Sequence, residues 1–403
     1  MVAGCGFAGY ALLRGLAKRS FDATLVTPRN FFLFTPLLPS AATGTVELRS
    51  IVEPARRRLR GVRVVEGEAV GADLTGKLLV GRAALGGSRF ELPFDDLVIA
   101  VGSRPASFGV PGIAEHAIPF STIEDARRVR RRVLEQYAVA SIPGTPTEAA
   151  RRELTFVVCG GGPTGVEVAA ELHDLMVGEL AAAFPELAPL ARVVLVEASD
   201  RLLVSFDGAL SGYAARHFRR EGIELRMQSP VRALEPGRIR FASGETLEAG
   251  FVVWAAGTEP APLARALGVE LDARGRVVTD PAFRVPGFPG VWALGDCAAV
   301  GSPPLPATAQ VAQQQGAHLA RNLNRLARGA PVRPFRFRSF GMLAYIGGHE
   351  ALADLPGAKW SGRMAWLFWR SVYLTRLVST ANKVKVLFDW MKARLFGRDL
   401  ARF

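Results

Sequence analysis

Short apolar runs alternate with longer amphipathic stretches along the chain, and this alternation predicts β-strands joined by α-helices. An apolar run at residues 23–27 follows a helical pattern at residues 10–17. The same order recurs farther along, with apolar runs at residues 154–159 and 193–196 on either side of a helical pattern at residues 166–175. Strand–helix–strand units bury their helices on a parallel sheet, so the pattern predicts an α/β fold with two such units.

The loop before the first helix, Gly4-Cys5-Gly6-Phe7-Ala8-Gly9, has the G-x-G-x-x-G spacing of a nucleotide-binding turn. Gly4 allows the tight turn, Gly6 lets the backbone approach a pyrophosphate, and Gly9 lets the helix pack against the sheet. The phosphates then lie at a helix N-terminus, which favours anions. Thr27 ends the next strand, where an acidic residue usually holds a ribose; its hydroxyl can form a weaker hydrogen bond there.

The second unit repeats this arrangement with a full set of nucleotide-binding residues. Its loop, Gly160-Gly161-Gly162-Pro163-Thr164-Gly165, offers Gly160, Gly162 and Gly165 at the same three places. Glu197 ends the following strand and is placed to accept a ribose 2′-hydroxyl. A carboxylate there repels a 2′-phosphate, so we expect NADH to be preferred over NADPH. Two units imply two bound nucleotides, or one nucleotide and a degenerate copy.

Three further turns follow apolar runs and complete the set of candidate binding residues. They are Ala100-Val101-Gly102, Ala256-Gly257 and Gly295-Asp296, the last followed by an Ala/Gln-rich helical pattern at residues 307–326. The Asp296 carboxylate can accept a hydrogen bond from a sugar-like hydroxyl, while the helix N-terminus faces a negative charge. Gly102, Gly257 and Gly295 are therefore candidate binding positions with Asp296.

The composition allows large cores and excludes several classes of protein. With 403 residues, 49% of them hydrophobic, the chain is long enough for two or three domains. Cys5, Cys159 and Cys297 are too few and too scattered for a disulfide framework or a metal site. The five histidines include no H-E-x-x-H pair. We therefore expect no metal.

The net charge of +13 is concentrated at the C-terminal end. From residue 359 onward there are ten Lys and Arg against two Asp, a net +8, together with four of the six tryptophans. Helical patterns at residues 364–377 and 382–396 each have an apolar side there. Basic amphipathic helices with tryptophans are typical of a membrane interface, so we expect contact with an anionic membrane and not with nucleic acid. The alternative is a helix pair in a dimer interface.

The apolar sides of these two helices are the surfaces that would enter a bilayer. Trp366, Trp369, Tyr373 and Leu377 share the first; Val384, Leu387, Phe388, Met391 and Leu395 share the second. No uncharged apolar run reaches the ~18 residues that span a bilayer. Because the first residues already match a strand and a loop, we expect no secretion signal. We expect a peripheral, monotopic protein in a reducing compartment, at the cytoplasmic face of a bacterial inner membrane.

The order of these motifs resembles that of two-dinucleotide flavoproteins, which bind FAD with the first unit and NAD(P)H with an inserted second one. More specifically, the chain resembles the type II NADH:quinone oxidoreductases. The stretches that carry the resemblance are residues 28–39, 160–167, 307–312 and 385–390. It implies an FAD enzyme that oxidises NADH and passes two electrons to a membrane quinone without proton pumping. It also implies that Thr27 is tolerated in place of an acid, and that the chain can form a homodimer.

Four polar side chains are candidate catalytic residues. Gln310 and Gln314 lie one turn apart, and an amide can donate to a quinone carbonyl without adding charge. In the resembled family the A-Q-x-A-x-Q pattern lines the quinone site. Glu167 and Glu171 also lie one turn apart. The resemblance implies a carboxylate from their helix at the nicotinamide–flavin junction without deciding between them.

Two alternative functions stay open on the sequence. One is sulfide:quinone oxidoreduction, which requires a juxtaposed cysteine pair, whereas Cys159 and Cys297 are expected to be packed side chains. The other is a non-catalytic, nucleotide-sensing membrane module.

The motifs also predict a domain division. It assigns residues 1–120 and 261–335 to FAD, 121–260 to an inserted NAD(P)H domain and 336–403 to membrane association. Only three residues precede Gly4, whereas the strand there should have about five. We therefore expect that the start of the sequence is misassigned or truncated. If the chain does begin at Met1, weak FAD retention is the first defect to expect.

Overall fold

The structure is a computed structural model that describes residues 1–301 and 304–401. The chain forms two compact units, each assembled from three segments. Unit 1 comprises Met1–Leu33, Val52–Arg104 and Thr258–Ser339, and unit 2 comprises Phe34–Ile51, Pro105–Gly257 and the chain from Phe340 onward. The four-part domain division drawn from the sequence stays a prediction.

Strands occur in both units and are numbered here along the chain. They are β1 (Val2–Ala3), β2 (Ala23–Thr27), β3 (Phe31–Leu33), β4 (Val52–Pro54), β5 (Val62–Asp73), β6 (Leu78–Ala83), β7 (Arg89–Pro93), β8 (Leu97–Ile99), β9 (Ser103–Pro105), β10 (Ala117–Pro119), β11 (Thr155–Cys159), β12 (Arg192–Val196), β13 (Glu224–Arg226), β14 (Val231–Glu235), β15 (Arg238–Phe241), β16 (Thr246–Glu248), β17 (Phe251–Trp254), β18 (Thr258–Pro260), β19 (Val277–Thr279), β20 (Val291–Ala293), β21 (Ala298–Val300), β22 (Met342–Gly347), β23 (Glu350–Leu355) and β24 (Ala358–Gly362).

The α-helices are numbered in the same way. They are α1 (Phe7–Gly15), α2 (Leu38–Ala42), α3 (Ala55–Arg58), α4 (Ile113–His116), α5 (Ile123–Ala140), α6 (Thr147–Glu153), α7 (Pro163–Leu175), α8 (Ala181–Ala183), α9 (Gly208–Glu221), α10 (Leu263–Ala266), α11 (Ala309–Leu326), α12 (Arg363–Arg376) and α13 (Thr380–Phe396).

Unit 1 is built on a seven-stranded sheet in the order β20-β8-β1-β2-β5-β6-β7. The strands from β20 to β5 run parallel, and β5, β6 and β7 continue as antiparallel neighbours. The short strand β1 is central, because Val2 pairs with both Leu25 and Val98. Helices α1 and α11 pack closely together, and Gly316 lies against the Ala8 carbonyl, where no Cβ would fit. The sheet therefore brings the first glycine loop to the carboxyl ends of its strands.

Unit 2 is built on a five-stranded parallel sheet in the order β10-β17-β11-β12-β13. The antiparallel sheet β14-β15-β16 packs on it through a fully buried apolar cluster that includes Val157, Val194, Ile239 and Leu247. A second antiparallel sheet, β22-β23-β24, contacts α7 and α12. The predicted α/β fold with two Rossmann-like units is confirmed.

The C-terminal region differs from the sequence prediction. A three-stranded sheet at residues 342–362 stands within the region, residues 336–403, that was predicted to serve membrane association through helices. Helix α5 begins at Ile123, because Thr122 and Asp125 form a capping box at its N-terminus.

The first tail helix, α12, uses most of its apolar side inside the protein. Trp369 and Leu377 are each only 3% exposed, so the prediction that they belong to a membrane-facing side was wrong. Met364 and Leu367 are exposed instead. Helix α13 has the predicted outward apolar side, whose five members are all exposed: Val384, Leu387, Phe388, Met391 and Leu395. Within the described residues, no helix has the length and apolar character needed to cross a membrane.

Candidate functional site

The first glycine loop has the geometry of a phosphate cradle. Gly4 is in a left-handed conformation with φ of 106°, and its N–H donates to the Val26 carbonyl at 2.9 Å. A Cβ at Gly4 would overlap the Ala100 carbonyl, and one at Gly9 would overlap the Gly4 carbonyl. A Cβ at Gly6 would meet no atom within 4 Å, and Gly6 caps α1 without any side-chain hydrogen bond. The open space at this helix N-terminus suits a phosphate group.

The second loop repeats that geometry in unit 2. Gly160 has φ of 116°, and its N–H donates to the Val196 carbonyl at 2.8 Å. A Cβ at Gly165 would overlap the Gly160 carbonyl, whereas the space beside Gly162 is open. Gly162 caps α7, again with no side-chain hydrogen bond. Each unit therefore has a separate cradle with free space at the start of a helix.

The matching hydrogen bonds to Val26 and Val196 make Thr27 and Glu197 equivalent positions. Glu197 Oε2 accepts the Gly161 N–H at 2.5 Å, and Oε1 accepts the Ser199 N–H at 2.7 Å. The carboxylate is thus fixed beside its own loop with lone pairs remaining for a hydroxyl. Thr27 is buried, and its hydroxyl donates to the Arg29 carbonyl at 3.1 Å.

The Gly295-Asp296 turn lies against the start of the strand after Gly102. Ser103 Oγ donates to the Asp296 carboxylate at 2.9 Å. Burial raises the pKa of Asp296, while the Ser103 hydrogen bond and the attraction of Arg276 act in the opposite direction. Gly257, which follows β17, belongs to unit 2 and packs against Phe108.

Glu167 and Glu171 lie on the same helix, α7, but in different surroundings. Glu167 is 6% exposed and accepts the Tyr345 N–H at 3.1 Å. Burial raises its pKa from 4.5 to about 8, against the smaller opposing effect of that hydrogen bond. A carboxyl group with such a pKa is protonated at neutral pH and can supply a proton.

Glu171 has a full set of partners instead. Its Oε2 accepts the hydroxyl groups of Thr43 at 2.8 Å and Thr45 at 2.7 Å. Arg398 Nη1 lies 3.7 Å from the same oxygen and also donates to the Glu171 carbonyl at 3.2 Å. This carboxylate holds together segments more than 120 residues apart in sequence.

The two predicted glutamines on α11 also differ. Gln314 Nε2 donates to the Arg338 carbonyl at 2.8 Å, and its Oε1 accepts the Arg338 N–H at 3.2 Å. Both the nitrogen and the oxygen of the Gln314 amide are therefore hydrogen-bonded to the backbone of Arg338. Gln310 is half-buried near the start of α11. Sequence reasoning missed Gln315, a buried residue whose Oε1 accepts the Gly295 N–H at 2.7 Å. Its position beside Gly316, in the close contact with α1, was the available signal.

The three cysteines are buried and free. Burial raises the pKa of Cys159 to about 12 and of Cys297 to about 11, so neither is a ready thiolate. Cys297 Sγ lies 3.4 Å from the Leu294 carbonyl. In the part of the chain that the structure describes, no group of three or more His, Cys, Asp or Glu side chains could hold a metal ion.

Comparison with known proteins gives two family matches that together cover most of the chain. Residues 1–316 match the family described as pyridine nucleotide-disulphide oxidoreductase, and residues 340–399 match the NDH2 C-terminal domain. The chain belongs to the type II NADH:quinone oxidoreductases. The resemblance drawn from the sequence is thereby confirmed.

Individual type II enzymes are similar over the full chain. A probable NADH dehydrogenase of Dictyostelium discoideum is 36% identical, covering 100% of this chain and 91% of its own. An external alternative NADH-ubiquinone oxidoreductase of Yarrowia lipolytica is 35% identical, with 100% and 80% covered. The structure of NDH2 from Plasmodium falciparum in complex with NADH has a TM-score of 0.93 at 23% identity and covers 99% of both chains.

A sulfide:quinone oxidoreductase from Aquifex aeolicus also has a related fold. Its TM-score is 0.73 at 19% identity, covering 99% of this chain and 95% of its own. At this identity the likeness concerns the fold alone.

Proposed function

We propose that the protein oxidises NADH with FAD and transfers two electrons to a membrane quinone, without proton pumping. The observation that carries the proposal is the pair of matching cradles, one in each unit, in a chain of the type II family. Each cradle has open space at an uncapped helix N-terminus, as a dinucleotide pyrophosphate requires. The comparison with relatives named NADH-ubiquinone oxidoreductases supports the choice of both substrates.

The residues of unit 1 fit FAD. The loop from Gly4 to Gly9 would hold its pyrophosphate, Thr27 would face its adenosine ribose, and Asp296 would accept a hydrogen bond from its ribityl chain. When bound, FAD supplies hydride acceptance from NADH and two-electron donation to the quinone. The fixed Gly102-Ser103 and Gly295-Asp296 turns orient it, since Ser103 holds the Asp296 carboxylate in place.

The residues of unit 2 bind NADH. The backbone at Gly160, Gly162 and Gly165 leaves room for the pyrophosphate, and Gly257 follows the neighbouring strand β17. Glu197 is held by Gly161 and Ser199 in the position that receives a ribose 2′-hydroxyl. A 2′-phosphate there would meet a fixed negative charge, so NADH is favoured over NADPH.

Of the two candidate carboxyl groups, Glu167 is the one that moves a proton. It is buried, and its pKa of about 8 keeps it protonated near neutral pH, which suits a proton donor. Glu171 has a structural role, because Thr43, Thr45 and Arg398 occupy it. For the quinone we retain Gln310 as the donor, and Gln314 supports the segment at Arg338.

The outward apolar side of α13, with Met364 and Leu367 of α12, is the membrane-contacting surface. Lys383, Lys385, Lys392 and Arg394 accompany it and suit anionic lipid headgroups. Arg370 lies over the rings of Trp366 and Trp390, which stiffens this surface. The protein is then a peripheral membrane enzyme, and we propose the cytoplasmic face of a bacterial inner membrane as its location.

Liposome co-sedimentation tests this surface. Leu387→Glu together with Phe388→Glu should abolish binding to vesicles with anionic lipid. Val139→Glu with Ile142→Glu, two other exposed positions of unit 2, should leave it intact. Retained vesicle binding by the first variant, with a change from dimer to monomer, would instead identify this surface as a homodimer interface.

The assay that tests the function is NADH oxidation by the purified, flavin-loaded protein with a soluble quinone analogue. Turnover should require bound FAD, visible by its absorbance, and should be faster with NADH than with NADPH. NADH binding without turnover would favour a nucleotide-sensing module. Sulfide-dependent quinone reduction that is lost in Cys159→Ala would favour the sulfide:quinone alternative, against which the buried, protonated Cys159 argues.

A further inference from the structure

Arg29 follows β2 in unit 1 and carries a buried donor atom that no described residue satisfies. Its Nη1 is buried and has no hydrogen-bond partner among the described residues. The backbone on either side is fixed, because Thr27 Oγ donates to the Arg29 carbonyl and the Ala55 N–H donates to the Asn30 carbonyl at 2.9 Å. A buried, unsatisfied donor on a charged group is costly, so a partner outside the chain is expected at this point.

The guanidinium group of Arg29 acts on the first glycine loop. Burial raises the pKa of Cys5 to about 12, and the positive charge of Arg29 works against that rise. Cys5 is the second residue of the loop, between Gly4 and Gly6. The cation is therefore within electrostatic reach of the cradle at the start of α1.

The two units differ in charge at equivalent places. Glu197 in unit 2 corresponds to the neutral Thr27 in unit 1, and Ser199, which supports Glu197, corresponds to Arg29. Unit 2 thus presents an anion to its nucleotide, and unit 1 presents a cation. The shared fold of the two units does not explain why the charge beside the nucleotide has the opposite sign in unit 1.

We propose that Arg29 binds the adenosine diphosphate part of FAD, with Nη1 donating to an oxygen of that group. The inference rests on the proposed function, in which unit 1 holds FAD. At the end of β2, Thr27 stands where an acidic residue usually contacts the ribose. A charge-assisted hydrogen bond from the Arg29 guanidinium group compensates for the loss of that contact. It also gives the buried Nη1 its acceptor.

The test compares the FAD dissociation constant of three variants of the full chain with the wild type. Starting from the flavin-loaded protein, release is followed by the rise in flavin fluorescence on dilution. Arg29→Gln should raise the dissociation constant about 10- to 100-fold, the range of a hydrogen bond to a charged group, and Arg29→Lys should have an intermediate effect. Arg57→Gln, an exposed residue of α3 with the same loss of charge, should match the wild type.

Two further measurements locate the contact. ADP should compete with FAD for the wild type and should lose affinity by the same factor in Arg29→Gln, because both ligands share the contacted group. The melting temperature of flavin-free Arg29→Gln should be no lower than that of the flavin-free wild type, because the donor that is removed has no partner among the described residues. A wild type that binds no FAD would refute the proposed function itself. A wild type that binds FAD while Arg29→Gln binds it equally well, or a flavin-free Arg29→Gln that melts early, would overturn the inference alone.

Discussion

Replacing Glu167 by glutamine should remove a pH dependence from both stability and turnover. The structure gives this carboxyl group a pKa of about 8, against 4.5 for an exposed one. At pH 7 it is then about 90% protonated, and the difference between the two values corresponds to at most about 5 kcal/mol. Glutamine has nearly the same shape as the protonated acid and keeps an oxygen to accept the Tyr345 N–H.

The sign of the effect follows from proton binding in the two states. Between pH 4.5 and about 8 the folded protein keeps the Glu167 proton and the unfolded chain has lost it. Stability therefore falls as the pH rises through this range and becomes level above about pH 8. Glu167→Gln should lose that slope, and it should be more stable than the wild type at pH 9 by up to about 5 kcal/mol.

The assay is urea unfolding at several pH values from 5 to 9, alongside NADH:quinone turnover. If Glu167 delivers a proton, turnover of Glu167→Gln should fall by roughly 10²-fold or more while NADH and FAD still bind. Glu171→Gln is the matched control, and it should be less stable than the wild type because Arg398 and two threonines lose a charged acceptor. The reasoning fails if Glu167→Gln shows the same stability slope as the wild type.

Three other changes have expected outcomes. Glu197→Gln should raise the ratio of kcat/KM for NADPH to that for NADH by about tenfold, since the charge that repels a 2′-phosphate is gone; an unchanged ratio from steady-state kinetics would show that Glu197 does not face the ribose. Arg398→Ala should lower the free energy of unfolding by about 3 kcal/mol, because Glu171 is 3% exposed and would be left buried without its cation; urea unfolding measures this, with Arg398→Lys as the milder control, and equal midpoints would contradict it. Gly6→Ala should fold normally but bind FAD weakly, whereas Gly9→Ala should fail to fold because its Cβ would overlap the Gly4 carbonyl. Circular dichroism and flavin content distinguish the two variants, and a well-folded Gly9→Ala would be inconsistent with this packing.

The parts of the site that are local in sequence could be predicted, because short-range geometry dictates them. The two glycine loops, and the strand ends at Thr27 and Glu197, follow from the tight turn and close approach that a bound pyrophosphate requires. The α/β fold follows from the same spacing. These features depend on residues within one strand–loop–helix unit.

The remaining features depend on contacts between distant segments, which periodicity does not encode. Glu171 is held by Thr43, Thr45 and Arg398, so its role could not be separated from that of Glu167 on the sequence. An apolar side on α12 predicts burial without saying what covers it, and Trp369 is covered by the protein. The sequence likewise does not show that Gln314 forms two hydrogen bonds with the backbone of Arg338.

Helix α13 is joined to the rest of unit 2 by charged groups along its length. Asp389 accepts the Glu47 N–H at 3.0 Å, Lys392 lies 3.4 Å from the Glu47 carboxylate, and just beyond the helix Arg398 reaches Glu171 and Glu179. Shortening the chain to make it more soluble would therefore also leave a buried carboxylate without its counter-ion. The sequences of the tail and of helix α7 therefore cannot change independently during evolution, as those of a separate anchor and a separate enzyme could. A substitution at either end of the Arg398–Glu171 pair should require a compensating change at the other.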